Sequence, residues 1–284
     1  MENMLLPIPS KILNLQADWE KVMLICNEGK CHVISNLHGD WKTSVYENET
    51  KFKSADVGQM HAITVDENGK AYSSKTDMNI DSSKSSPLLF SPIQMKVKVD
   101  EVSCGKEHVL ILNKTSGHVF SFGIGTRGQL GHGGVDEETI PRLIDALTGV
   151  HMNQVSAGGW HSLALSNIGD IYAWGWNNHG QLGITCLPPE VPETFYTLPY
   201  IVDFPQEVSV NHVACGARHS GAVMSEPRQS VLTWGWGKYG QLGHGDDQDR
   251  NRPTVVEYFE NIDGKILDMN CGPWQTIVTL ERKI

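Results

Sequence analysis

The sequence Gly-Gln-Leu-Gly occurs three times in this chain, at Gly128–Gly131, Gly180–Gly183 and Gly240–Gly243, each time after a segment containing Phe-Gly or Trp-Gly. The copies stand about 50 to 60 residues apart, a period that marks a repeat architecture in which each unit buries its apolar face only by stacking on its neighbours. A second element precedes each copy: Val102-Ser103-Cys104-Gly105-Lys106-Glu107-His108, Val155-Ser156-Ala157-Gly158-Gly159-Trp160-His161 and Val213-Ala214-Cys215-Gly216-Ala217-Arg218-His219. Looser versions at Ala55–His61, Met269–Gln275 and Leu15–Trp19 bring the number of these anchors to six.

Short apolar runs follow the anchors, such as Val109–Leu112, Leu163–Leu165 and Ala62–Val65, too brief for helices and rich in strand formers. A turn and a second run come next, as at Val119–Phe122, Ile171–Trp174 and Val231–Trp234, so each repeat reads as a β-hairpin with flanking strands. No stretch sustains helical apolar spacing over three turns, and Pro141–Leu147 is expected to form at most one short turn. The fold class is therefore all-β, a β-propeller of about six blades, within a range of five to seven. The whole chain, 1–284, is expected to form one domain, with loop insertions at 73–92, rich in Ser and Lys, and 184–205, rich in Pro.

These anchors and turns resemble the regulator of chromosome condensation repeat family, whose blades carry Cys-Gly-x-x-His and Trp-Gly…Gly-Gln-Leu-Gly; both halves occur together from about Val102 to Gln275. The usual member has seven blades and opens with an aromatic-glycine strand that closes the ring. Met1–Asn14 shows no such segment, so the last blade is expected to be incomplete or closed by another element. The resemblance implies a protein-interaction propeller, nuclear and also cytoplasmic, that partners a chromatin-associated JmjC-type oxygenase and, through it, histone-containing assemblies. It also implies a rival: a guanine-nucleotide exchange factor for a Ran-like small GTPase. No inserted hairpin suited to wedging a nucleotide site is apparent in the clear repeats. A third reading, a ubiquitin-ligase substrate module, has no residue to distinguish it.

A net charge of −10 argues against direct binding of nucleic acid, which needs a dense Lys/Arg footprint. The six cysteines form no Cys-x-x-Cys pair, and Cys104, Cys215 and Cys271 share one anchor position, so they read as buried thiols of a reducing compartment. Met1–Pro9 lacks the pattern of a secretory signal and no apolar run is long enough to span a membrane, so an intracellular, soluble protein is expected.

Signals of chemistry are weak. Gly123–Gly128 and Gly235–Gly240 match Gly-x-Gly-x-x-Gly, but that motif cradles phosphate only where a helix N-terminus follows, and here Gln-Leu-Gly follows. Gly128, Gly180 and Gly240 are thus assigned to a shared turn. His38-Gly39-Asp40 and His244-Gly245-Asp246 resemble an iron-binding pair, yet no third ligand is identifiable and such triplets arise by chance. His108, His161 and His219, like Gly105, Gly158 and Gly216, hold identical places in successive repeats; each imidazole is expected to bond backbone at the turn into the strand. No nucleophile–base set emerges, and Cys186 has no basic neighbour. The chain is read as non-catalytic, without metal or cofactor.

Trp160 and Trp274 fall in the anchor slot that varies among repeats, where sisters carry Glu107 or Arg218. With Trp19, Arg218, and Phe195 and Tyr196 of the Pro-rich segment, they are candidates for partner binding on one rim; the alternative is that the rings plug the central channel. Trp174 and Trp176, like Trp234 and Trp236, stand two apart and are expected to share a face, packing between blades. Asp136–Glu138 and Asp246–Asp249 follow two of the turns, where their charge solubilises the rim or steers a basic partner.

Overall fold

A computed structural model describes residues 11–17, 21–37, 40–75, 90–185, 194–204, 208–226, 229–260 and 264–282. The strands fall into successive antiparallel sheets, each a meander in chain order. The first holds β1 (Ile12–Ala17), β2 (Lys21–Cys26), β3 (Cys31–Leu37) and β4 (Asp40–Tyr46); the second β5 (Phe52–Val57), β6 (His61–Asp66), β7 (Ala71–Lys75) and β8 (Ser91–Pro92). The third holds β9 (Glu101–Cys104), β10 (His108–Asn113), β11 (His118–Gly123) and β12 (Glu138–Leu143). The fourth holds β13 (Met152–Ala157), β14 (His161–Ser166), β15 (Ile171–Trp176) and β16 (Phe195–Ile201). The fifth holds β17 (Ser209–Cys215), β18 (His219–Glu226), β19 (Ser230–Gly235) and β20 (Arg250–Val255), and the sixth, among the described residues, β21 (Gly264–Cys271) and β22 (Thr276–Arg282). Six blades with the last incomplete is the architecture expected of the sequence.

Each blade packs its first strand against the first two strands of the blade before it, from β5 on β1 and β2 through β21 on β17 and β18. The core therefore lies between blades. Leu163 and Leu165 of β14 meet Val213 and Cys215 of β17 in one cluster, and Leu110 and Leu112 of β10 meet Val155 and Ala157 of β13 in another. Strands sandwiched in this way read as continuous apolar runs, and β6, β10 and β14 are buried at every residue. Among the described residues no comparable packing joins β21 or β22 to β1.

Among the described residues helix is confined to a 3-10 turn at Asp145–Leu147 and one turn of α-helix, α1 (Glu257–Glu260). The turn expected over Pro141–Leu147 is thus shorter, because Glu138–Leu143 is already committed to β12. The 184–205 segment differs from a plain insertion: Phe195–Ile201 is the outer strand of the fourth blade, paired to β15. Likewise Ser73–Lys75 ends β7 and Ser91–Pro92 forms β8. Among the described residues no helix is long and apolar enough to cross a membrane.

Candidate functional site: an aromatic and cationic rim

The anchors meet around the propeller axis, where Ala17, Val57, Cys104, Ala157, Cys215 and Cys271 line a channel of about 140 Å³. Their glycines are set by close approach: a Cβ on Gly105 would press on Gly158 O at 2.5 Å, and one on Gly158 on Gly216 O at 2.6 Å. The same added carbons would strike the imidazoles of His108 and His161, three residues on in each anchor. The Gly-x-x-His spacing thus seats each ring over its own glycine.

Beside the backbone contacts of His161 with His219 and of His219 with Gln275, the rings reach a hydroxyl of the next blade, a partner the sequence did not suggest. Nε2 of His108 lies 2.9 Å from Ser162 Oγ, that of His161 2.9 Å from Ser220 Oγ, and that of His219 3.1 Å from Thr276 Oγ1. Each hydroxyl spends its single proton on a carbonyl, of Gln129, Gln181 and Gln241 respectively. The hydroxyl must therefore accept, which fixes the Nε2–H tautomer. Burial holds His108 and His161 down at about 3 and His219 at about 4, so all three are neutral at pH 7. Burial likewise raises the Cys31 and Cys271 thiols to about 12 and carries Cys215 higher still. Buried imidazoles and undissociated thiols join blades here.

The glutamine of each Gly-Gln-Leu-Gly folds back on its own turn. Its Oε1 accepts the backbone N–H two residues earlier: Arg127 to Gln129, His179 to Gln181, Tyr239 to Gln241, at 2.8, 3.0 and 2.8 Å. Gly128, Gly180 and Gly240 then reverse the chain at φ of 73, 76 and 73°. No helix follows, so these glycines shape a turn, and Gly131 and Gly183 leave room beneath for the indoles of Trp174 and Trp234, both fully buried. Trp174 Nε1 donates to Gln129 O at 2.8 Å.

Two variable slots per blade, one in the anchor and one before the turn, therefore point to the same rim. Lys106 Nζ and the Arg127 guanidinium lie 4.2 and 4.5 Å from the Trp160 ring centroid, and Trp160 Nε1 donates to Glu107 Oε2 at 2.9 Å. Trp160 meets Trp176 edge-on at 5.6 Å; Trp176 meets His179, which meets Trp236. Trp236 touches Tyr239 and Trp274 at 5.2 and 5.0 Å. Arg218 caps the row, its guanidinium carbon 5.3 Å from the Trp176 centroid and 5.0 Å from that of Trp236. Among the described residues Arg218 forms no ion pair, which leaves its charge to the rings and solvent.

Of the residues expected to bind a partner, Trp160, Arg218 and Trp274 come together on this rim, and none lines the channel. Phe195 pairs with Trp176 across β15 and β16, beside them. Tyr196 does not belong: it is 3% exposed and sits in the core between the fourth and fifth blades, since strand alternation turns it inward. Trp19 lies outside the described residues, as do Cys186 and the His38-Gly39 pair. Trp176 and Trp236 are not packed with Trp174 and Trp234 as expected; Gly175 and Gly235, at φ of 98 and 100°, turn the chain between each pair. Sequence reasoning missed Arg127, His179 and Tyr239, although their shared place before the turn glycine marked them as a second variable slot. The acidic loops are partly engaged: Glu138 bonds Arg142, Asp246 bonds Arg250, and Asp249 bonds His179 Nδ1 and Gly237 N. His244 is structural too, its Nε2 3.0 Å from Thr233 Oγ1.

The regulator of chromosome condensation (RCC1) repeat matches residues 116–165, 169–223 and 230–279. The chain is 39% identical over 222 residues to RCC1 domain-containing protein 1 of Mus musculus, covering 68% of this chain and 58% of that protein. It is 37% identical over 221 residues to the Homo sapiens protein of the same name, covering 66% and 58%. The alignments thus span less than two thirds of these relatives' length. Among solved structures, that of Kap60 bound to yeast RCC1 (Prp20) superposes with a TM-score of 0.81 at 20% identity, covering 96% of this chain and 67% of the other. Repeat, blades and relatives agree: the chain belongs to the regulator of chromosome condensation repeat family.

Proposed function

We propose that this propeller is a non-catalytic scaffold whose aromatic and cationic rim docks a chromatin-associated JmjC-type oxygenase in the nucleus, with histone-containing assemblies reached through that partner. The observation that carries the docking role is the row from Trp160 to Trp274 with Arg218 across it. Partly exposed Trp and Arg clustered on rigid turns is the composition that dominates interface energetics. The oxygenase, the histones and the compartment are what the family resemblance of the sequence implies, and no distance in the fold bears on them. The non-catalytic reading is supported by the anchor histidines and cysteines, which are spent in blade packing.

Affinity capture of the tagged chain from nuclear extract, followed by direct titration with the purified oxygenase, tests this. Binding that disappears in Trp160→Ala and Arg218→Glu supports it; a purified oxygenase that does not bind overturns it. The exchange-factor reading is separated by nucleotide release from a Ran-like GTPase, where acceleration above background would replace the scaffold reading.

A further inference from the structure

The rim is cationic over one arc, in a chain whose net charge is −10. Lys106, Arg127 and Arg218 stand there over Trp160, Trp176 and Trp236, and all six side chains are partly exposed. Arg142 and Arg250, on the outer strands β12 and β20, each hold a carboxylate four residues away, at 2.7 and 2.6 Å. On the arc that pairing is missing: among the described residues Lys106 Nζ and the Arg218 guanidinium meet no carboxylate and no other acceptor. Arg127 has one ion pair, 3.6 Å to Glu107 Oε2, an oxygen that already accepts the Trp160 indole N–H at 2.9 Å.

The rings add donors of their own. Trp174, in the core, gives its indole N–H to Gln129 O, whereas Trp176 Nε1 and Trp236 Nε1 have no acceptor among the described residues. The neighbouring acceptors are spent. Asp249 takes His179 Nδ1 and Gly237 N, and the turn glutamines take the backbone N–H groups of Arg127, His179 and Tyr239. From Lys106 to Trp236 the arc therefore offers two unpaired cations, a weakly paired third and two indole N–H groups. A surface of this kind is complementary to acceptors that carry negative charge and rejects groups of its own sign.

We infer that this arc engages an acidic segment of the partner protein, whose carboxylates meet the Arg218 guanidinium, the Lys106 ammonium and the two indole N–H groups. The inference deepens the docking role proposed above and rests on it. A guanidinium matches the two oxygens of a carboxylate with parallel N–H donors. Trp176 and Trp236 hold Arg218 in place before a partner arrives, so less side-chain freedom is lost on binding. A protein segment fits better than a nucleic acid, because the arc matches a few charges only and a chain at −10 repels an extended phosphate backbone.

The probe is a short fluorescent oligoglutamate, titrated into the full chain by anisotropy at low ionic strength. Saturable binding is expected, weakened roughly tenfold by Arg218→Gln or Lys106→Gln. Arg142→Gln, which removes the same charge from an outer strand, should leave the affinity unchanged. Equal losses in all three variants would report net charge alone and overturn the proposal. So would a failure to saturate, an oligolysine that binds as well, or an oligothymidylate of the same length that binds more tightly. The purified oxygenase separates this inference from docking itself. If it binds, and loses affinity in Trp160→Ala, but oligoglutamate does not displace it, the acidic segment is overturned and the docking role stands. If oligoglutamate binds as expected and the oxygenase does not, the acceptor chemistry stands and the oxygenase is the wrong partner.

Discussion

The imidazole of His161 and the hydroxyl of Ser220 belong to different blades yet share one proton-ordered contact, Nε2–H to Oγ at 2.9 Å, which Ser220 passes on to Gln181 O at 2.8 Å. Three motifs of the sequence thereby meet in one relay: the anchor histidine, the second residue of the following blade's second strand, and the glutamine of the turn. Residues His108 and His219 repeat it on either side.

Breaking the relay leaves two buried groups unpaired at once. Ser220→Ala removes the hydroxyl that accepts from His161 Nε2–H and donates to Gln181 O, in a fully buried site. A loss of about 2 to 3 kcal/mol of unfolding free energy is expected, since orphaned buried polar groups cost about 1 to 3 kcal/mol each. Urea denaturation of the variant, with Ser220→Thr as the hydroxyl-retaining control, checks this.

The same histidines set an acid limit. Their folded pKa values lie below the unfolded value of 6.5, so between pH 6.5 and about 4 the unfolded chain binds more protons and stability falls with falling pH. Above pH 6.5 the contribution is complete. Each histidine adds about 1.4 kcal/mol per pH unit across that window. Denaturation midpoints measured from pH 7.5 to 5 should drop, against the opposite contribution of the buried Asp56 carboxyl, raised to about 7, and His161→Gln, copying Gln275 of the sixth anchor, should lower the slope.

Much of this was legible because the contacts that define the fold recur. Gly105, Gly158 and Gly216 read as structural from their period alone, and the distances explain them. What the period could not reveal is which way a side chain turns. Trp174 and Trp176 look equivalent as letters, but the positive φ of Gly175 sends one to the core and the other to the rim. Tyr196 was misplaced for the same reason: a proline-rich neighbourhood suggested a loop, while pairing of β16 to β15 put the ring inside. The imidazole acceptor was hidden because it lies in the following repeat, at a position that holds Ser162 or Ser220 but Val109 in the third blade. His61 accordingly faces an aromatic instead, edge-on to Phe122 at 5.3 Å.

Gly158 tests the close approach around the axis. An added methyl would collide with its own anchor's imidazole and with Gly216 O, and neither can retreat without opening the blade interface. Gly158→Ala is expected to cost about 2 to 3 kcal/mol, in the range of overpacked cores. Gly149→Ala, where an added Cβ meets nothing within 4 Å but φ is 95°, isolates the backbone cost and should lose less. Thermal melts of the two variants, compared with the parent, measure the difference.

Arg218 separates docking from folding. Its guanidinium rests on Trp176 and Trp236 at a partly exposed site, and its contacts there are cation–π. Such a pair contributes about 0.5 to 1 kcal/mol where solvent reaches it, so Arg218→Ala should leave the unfolding free energy within about 1 kcal/mol of the parent. In a complex the same guanidinium is desolvated, and truncating an interface arginine of this type costs about 2 kcal/mol or more, a loss of roughly thirtyfold in affinity. Arg218→Lys keeps the charge but not the flat stacking surface and should fall between the two. Titration of the parent and the two variants against the purified oxygenase, beside their denaturation curves, checks the prediction: affinity is expected to change across the series while stability holds. A loss of affinity that merely tracked stability would place Arg218 among the residues that hold the blades, and the rim would no longer be the docking surface.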